Sequence, residues 1–151
     1  MLRGRFRRLD KIETLSCGER KGLETMKTKE ELNSLSGVIV DAAMEVHREF
    51  EPELLKRIYE AALHRELAYR CIPAQRQVQT AVFYQGEFWD TDPYRIDFSI
   101  DESVVVEIRT VAAIIPTHEA QLHTYIRLSK KCLGLLVNFN GIKRHVINFP
   151  H

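Results

Sequence analysis

Tyr94-Arg95-Ile96-Asp97-Phe98-Ser99-Ile100-Asp101-Glu102-Ser103-Val104-Val105-Val106-Glu107-Ile108-Arg109 reads as two strands joined by a tight turn. Tyr94, Ile96, Phe98 and Ile100 alternate with Arg95, Asp97 and Ser99, the period of a half-buried strand. Asp101-Glu102 supplies the turn. Val104, Val105 and Val106 are β-branched and continuous, which predicts a second strand buried on both faces. Asp97 and Glu107 sit within this apolar setting. A carboxylate on a buried strand is costly unless it is paired or holds a cation. The pair therefore admits two readings. In one, the two carboxylates hold a divalent metal through hard oxygen ligands, as Mg²⁺ prefers. In the other, each is paired with an arginine, Arg95 or Arg109.

The whole chain has 151 residues, which suits one domain, and its 44% apolar content is enough for a core. No apolar run is long enough to cross a bilayer, and the basic N-terminus has no apolar segment of the kind a secretory signal carries. Its three cysteines, Cys17, Cys71 and Cys132, fit neither a disulfide framework nor a zinc spacing, which points to a reducing, cytoplasmic setting. The net charge of +1 is unevenly spread. Residues 1–29 hold nine Lys/Arg and four Asp/Glu, leaving 13 basic and 17 acidic residues in the remainder. The globular part is mildly acidic, so bulk charge alone does not argue for nucleic-acid binding.

Outward from the central hairpin, the pattern extends both ways. Downstream, Thr117 reads as an N-cap for a helix from His118 to about Ser129. Lys131 to Phe139 reads as a short buried strand, parallel to its neighbour because a helix precedes it. Asn140-Gly141 is a hairpin turn signal, and Arg144 to Phe149 reads as a last strand. Upstream, Val78, Thr80, Val82 and Tyr84 form a strand, Gln85-Gly86 a turn, and Glu87-Phe88-Trp89 its partner. Asp90-Thr91-Asp92-Pro93 reads as a further turn. Before the strands come two helices. One spans Ser36 to Phe50 with an apolar stripe of Val38, Ile39, Ala42, Ala43 and Val46. On its polar side Glu45 and His47 read as a solvated face. The second helix begins near Pro52 and ends before Ile72-Pro73. Residues 1–28 show no period and read as a basic disordered tail, with 29–151 the folded domain. Met26, followed by Lys27-Thr28-Lys29-Glu30-Glu31-Leu32, is a plausible natural start, which would make the first residues an over-extended start-site assignment. The fold class is a mixed α/β domain, one central mixed sheet flanked by helices.

Three features converge on a known pattern. Asp97 is followed ten residues later by Glu107-Ile108-Arg109. The next helix carries Gln121 and Tyr125 at i and i+4, with His118 on the same stripe. This resembles the PD-(D/E)XK nuclease superfamily, with its Asp, spacer and Glu-x-Lys on adjacent strands and a Gln-x-x-x-Tyr helix. More narrowly, the chain is similar to the small bacterial GxxExxY proteins of that superfamily. The similarity runs from about Leu32 to Phe149, through Ala42–Phe50, Ile58–Leu63, Tyr94–Asp97, His118–Tyr125 and Leu135–Phe139. The resemblance implies a restriction-endonuclease-like core and a cytoplasmic hydrolase acting on DNA or RNA. Its cofactor would be Mg²⁺ or Mn²⁺, held by Asp97, Glu107 and the Ile108 carbonyl. That cation would polarise the scissile phosphate and activate a water for in-line attack. Arg109, Gln121 and Tyr125 would complete the catalytic set, and Tyr59, His118 and Gln121 would contact nucleic acid. A homodimer or a protein partner stays open.

The chain departs from the pattern where the chemistry is most sensitive. Arg109 stands where the superfamily has lysine, and arginine is larger and cannot be deprotonated in a protein. The GxxExxY signature falls on Glu53, Lys56 and Tyr59, so only its tyrosine is kept. Lys56 puts positive charge where the family has a carboxylate. Glu53 and Glu60, three before and four after Lys56, share its helix face and are placed to approach the site. The reading is a nuclease fold whose hydrolysis is impaired by Lys56 and Arg109. The alternative is an inactive module of the same fold that binds nucleic acid or a protein.

Overall fold

A computed structural model describes residues 27–50 and 54–139, with the side chains of 89–93 left out. The tail of residues 1–26, the Asn140-Gly141 turn and the strand expected over Arg144–Phe149 lie outside the described residues. The described elements run in the order α1 (Lys29–Glu49), α2 (Lys56–Tyr69), β1 (Ala74–Tyr84), β2 (Glu87–Ile100), β3 (Val104–Arg109), α3 (Pro116–Ser129) and β4 (Leu133–Asn138). The strands form a sheet of order β1-β2-β3-β4. β1 and β2 are antiparallel, as are β2 and β3, while β3 and β4 are parallel with α3 as the crossover.

α1 starts earlier than the expected Ser36. Thr28 caps it, its hydroxyl accepting from the Glu31 N–H while the Glu31 carboxylate accepts from the Thr28 N–H. Thr28-Lys29-Glu30-Glu31 is a reciprocal capping sequence, which extends the helix by two turns beyond its apolar stripe. α2 starts later than expected, at Lys56, after an extended Leu55; Pro52 lies outside the described residues. α3 begins at Pro116 rather than His118, with Ile115 as its N-cap. Proline's fixed φ suits the first helical position, so Thr117 is inside the helix and does not cap it. His118 supplies a cap from within the first turn, its Nδ1 accepting from the Ile115 N–H at 3.2 Å.

Both hairpin turns follow from their residues' left-handed backbone. Asp101 and Glu102 have φ of 49° and 53°, and the Ser103 N–H donates to the Ile100 carbonyl. Gln85 and Gly86 likewise have positive φ, between the paired Tyr84 and Glu87. Two consecutive positive φ values match the right-handed twist of the strands they join. The turn expected at Asp90-Thr91-Asp92-Pro93 is not one. β2 runs through it, and the register steps from Thr80↔Tyr94 to Val82↔Trp89, so residues 90–93 stand against Ala81 alone. The turn-forming residues are absorbed as an irregularity within one strand, as bulges allow.

The sheet is covered on both faces. On one, Phe98, Ile100, Val106, Ile108, Leu135 and Val137 meet Ile39, Ala43, Tyr59 and Leu63 of α1 and α2. On the other, Ile96, Val105 and Leu136 meet Leu122, Tyr125 and Ile126 of α3. Every residue from Val104 to Ile108 is buried, as the continuous valines required. The strict alternation expected over Tyr94–Ile100 fails at one place. Ile96 and Phe98 lie two apart on one strand and should share a face, yet they belong to opposite cores. Ala74 and Val78 of β1 divide in the same way. The pleat therefore breaks in both strands at the rung of Gln77 and Asp97. Gln77 has φ of 53°, a left-handed conformation uncommon for a side-chain-bearing residue.

Candidate active site

The broken rung is where the two strand carboxylates come together. Backbone pairing between β2 and β3 is regular for Phe98↔Val106, Ser99↔Val105 and Ile100↔Val104. One step beyond Phe98, side chains replace it. The Asp97 N–H donates to Glu107 Oε1 at 2.9 Å, and the Ile108 N–H donates to Asp97 Oδ2 at 2.9 Å. Each carboxylate thus satisfies a backbone donor of the other strand, as a buried N–H requires. Both are almost wholly buried, Asp97 at 4% exposure and Glu107 at 2%.

Two cations close on the pair. Lys56, the first residue of α2, places Nζ 2.8 Å from Asp97 Oδ2. A lysine in a helix's first turn opposes the helix dipole, so it is the contact with Asp97 that favours this position. Arg109 Nη1 lies 3.4 Å from Glu107 Oε2 and also donates to the Ile108 carbonyl at 3.2 Å. From its other nitrogen Arg109 donates to Gln121 Oε1, and Gln121 Nε2 donates to the Tyr125 hydroxyl at 2.7 Å. Gln121 and Tyr125, one turn apart on α3, thereby join the site as a relay from Arg109. Burial raises the Glu107 carboxyl to about 8, with the Asp97 charge adding to it, against the hydrogen bond from the Asp97 N–H and the pull of Arg109 and Lys56. The Tyr125 hydroxyl is also raised, first by burial and then by the Glu107 charge. Burial and, secondarily, Arg109 lower His118, which suits an imidazole whose Nδ1 lone pair accepts the Ile115 N–H.

Three further residues belong to this cluster. Gln77 Nε2 donates to Glu60 Oε1 at 2.7 Å and reaches Asp97 Oδ1 at 3.4 Å. Glu60, buried at 4%, also pairs with Arg76. Its spacing from Lys56 on one helix face was the signal for it. Glu53 lies outside the described residues. Nothing in the spacing pointed to Gln77, whose role depends on its left-handed backbone. Asn138, ending the buried run of β4, accepts from the Val111 N–H and donates to the Val111 carbonyl, fixing the chain just past Arg109.

One expected contact is corrected. Tyr59 is fully buried, its ring stacked on Phe139 at 4.6 Å and 6°, and its hydroxyl accepts from the Leu54 N–H. It has no surface to offer nucleic acid; the signature tyrosine is a core residue here. His118 and Gln121 are partly exposed beside Arg109. Glu45 forms a surface pair with Arg48, and burial lowers His47.

Over residues 33–149 the chain matches the PD-(D/E)XK nuclease superfamily. It belongs to that superfamily, and its mixed sheet between helices is the restriction-endonuclease-like core. Among curated proteins and among solved structures, none matches the chain. Nucleases of the superfamily generally use divalent metals and act on nucleic acid. Among the described residues no group of three or more His, Cys, Asp and Glu is placed to hold a metal ion, and no helix is long and apolar enough to cross a membrane.

Proposed function

We propose that this chain is a nuclease-fold protein of the GxxExxY kind that binds DNA or RNA, with metal-dependent phosphodiester hydrolysis impaired by Lys56 and Arg109. One observation carries the reading. The three oxygens that would hold Mg²⁺ or Mn²⁺ are already engaged by protein cations: Asp97 Oδ2 by Lys56, and Glu107 Oε2 and the Ile108 carbonyl by Arg109. The donor set is right in kind, two carboxylates and a carbonyl. A cation enters it only by displacing an ammonium and a guanidinium. As the side chains stand, the set does not fit a resident divalent ion.

What the site retains is the means to meet a phosphate backbone. Lys56 is partly exposed beside the carboxylates, and His118 and Gln121 line the approach on α3. Such groups position nucleic acid without reading its sequence.

Calorimetric titration with Mn²⁺ tests the reading. The parent protein is expected to show no binding at millimolar metal. The double variant Lys56→Glu/Arg109→Lys is expected to bind Mn²⁺ and to cleave plasmid, single-stranded DNA or RNA well above the parent. Each single change should do little, because groups that act as a unit are strongly non-additive. Adding Asp97→Ala should abolish both gains. A parent that already cuts at the double variant's rate would show an intact nuclease and sink the impairment.

A further inference from the structure

We infer that the tip of the β1–β2 hairpin docks an arginine-bearing segment of a partner protein. Phe83 is 65% exposed, and Tyr84 and Phe88 are each 58% exposed. None of the three rings belongs to either core. Phe83 and Phe88 are cross-strand partners, with centroids 5.9 Å apart at an angle of 65°. On the next rung Tyr84 stands opposite Glu87, which is also exposed. Directly opposed residues hold their side chains next to one another, and successive rungs face opposite ways. A phenol ring and a carboxylate therefore share one face of the tip, and two phenyl rings the other. Exposed apolar surface gathered in one place marks a binding surface.

The charge of the hairpin narrows the occupant. Residues 77–94 hold Glu87, Asp90 and Asp92 and no Lys, Arg or His. All 22 Lys and Arg lie elsewhere, with 18 of the 21 acidic residues, so the hairpin is an acidic segment in a chain that is otherwise net basic. A phosphate backbone would be repelled here. A second copy docking the same patch would set like charges against one another. β-Strand addition at the tip needs a regular edge, and the register shift between Thr80 and Val82 works against one. A cation is favoured twice, by the carboxylates and by the ring faces. Arginine matches both, since its planar guanidinium stacks on a ring while its N–H groups pair with a carboxylate. The chain shows the contact within itself on α2, where Arg65 lies 5.6 Å over the Tyr69 ring and donates to its hydroxyl.

The surface stands apart from the carboxylate site. From Gln77, which reaches Asp97, to Phe83 is six residues of strand, or roughly 20 Å. A protein segment on the hairpin therefore leaves Lys56, His118 and Gln121 open to nucleic acid.

Fluorescence anisotropy of a labelled peptide of alternating arginine and glycine, titrated with the full chain, tests this. A peptide of alternating glutamate and glycine is the control. The parent is expected to bind the arginine peptide, more weakly as salt rises, and not the glutamate peptide. Glu87→Lys and Tyr84→Ala should each weaken binding roughly fivefold. Tyr84→Phe should keep parental affinity, and so should Asp41→Asn on the exposed side of α1. The hairpin residues changed are exposed, so circular dichroism should show an unchanged fold. Equal affinity for the two peptides overturns the inference, as does undiminished binding by the Tyr84→Ala/Glu87→Lys double variant. If replacing Arg3, Arg5, Arg7 and Arg8 by Gln strengthens peptide binding, the surface belongs to the chain's own basic segment and the inference is wrong. It is equally wrong if the double variant loses a dimer seen by sedimentation but not the peptide.

Discussion

The two ends of the β2–β3 pair are built from the same strands in opposite ways. Towards the Asp101-Glu102 turn, backbone pairs with backbone and side chains such as Phe98, Val104 and Val106 enter the core beneath α1 and α2. At Asp97 and Glu107, side-chain oxygens take over the backbone donors and the pleat of β1 and β2 reverses. The first end derives its stability from apolar burial, which is insensitive to charge. The second is held by a closed set of ionic hydrogen bonds, each of which fails if its partner is removed. The fold is anchored at one end, and so the other can carry buried charge.

The largest expected effect falls at the anchored end. Phe98→Ala should cost about 3–5 kcal/mol, the loss of a fully buried aromatic and the cavity left behind. A loss under about 1 kcal/mol by urea unfolding would mean that this end is not the anchor. Next comes Arg109→Ala, expected to cost about 2 kcal/mol through lost charge-assisted bonds to Glu107, the Ile108 carbonyl and Gln121. An unchanged melting midpoint at neutral pH would speak against the ionic set. A double-mutant cycle between Lys56→Met and Asp97→Asn should return a coupling of about 1 kcal/mol. That is less than a buried pair gives, because the lysine side chain is 37% exposed and solvent screens it. A coupling near zero would show that Lys56 only rests on Asp97. The smallest effect sharpens the comparison at the broken rung. Gln77→Gly should be more stable than Gln77→Ala by about 0.5–1 kcal/mol, the reverse of the usual order in a strand. If alanine is the better tolerated, the left-handed conformation at this rung is not obligatory.

The sequence disclosed the anchored end almost completely. Continuous valines, the turn residues Asp101-Glu102 and Gln85-Gly86 and the helix–strand order pointed to the mixed sheet and the parallel β4, because hydrophobic period and turn chemistry are local properties. The irregular parts were not legible in the same way. Asp90-Thr91-Asp92-Pro93 has turn composition, yet pairing on either side of it carries β2 through. Ile96 keeps the alternation in sequence but not in space, since Gln77 and Asp97 reverse the pleat at a rung that spacing cannot show. For the candidate site, Asp97 and Glu107 on neighbouring strands were legible in the strand pattern, and Gln121 and Tyr125 on one helix face in their spacing; the bond that joins Arg109 to Gln121 was not. The burial of Tyr59 was not: a signature residue carries its family role only if its surroundings leave it exposed, and here Phe139 lies flat against it.

Gly134 of β4 lies opposite Val105, directly under α3. A methyl group added there would come within 2.4 Å of Ile126 Cδ1 and 3.0 Å of Leu122 Cγ. Leu122 and Ile126 of α3 therefore pack against bare main chain here, one of the contacts, with those to Ile96, Val105 and Leu136, that seat the helix on the sheet. Gln121 and Tyr125 are carried on that helix, so close packing at Gly134 helps to hold them within reach of Arg109. The smallest side chain in β4 acts as a shim: one added carbon would push first on the Ile126 side chain and then on the helix that carries the relay, without altering any group that takes part in it.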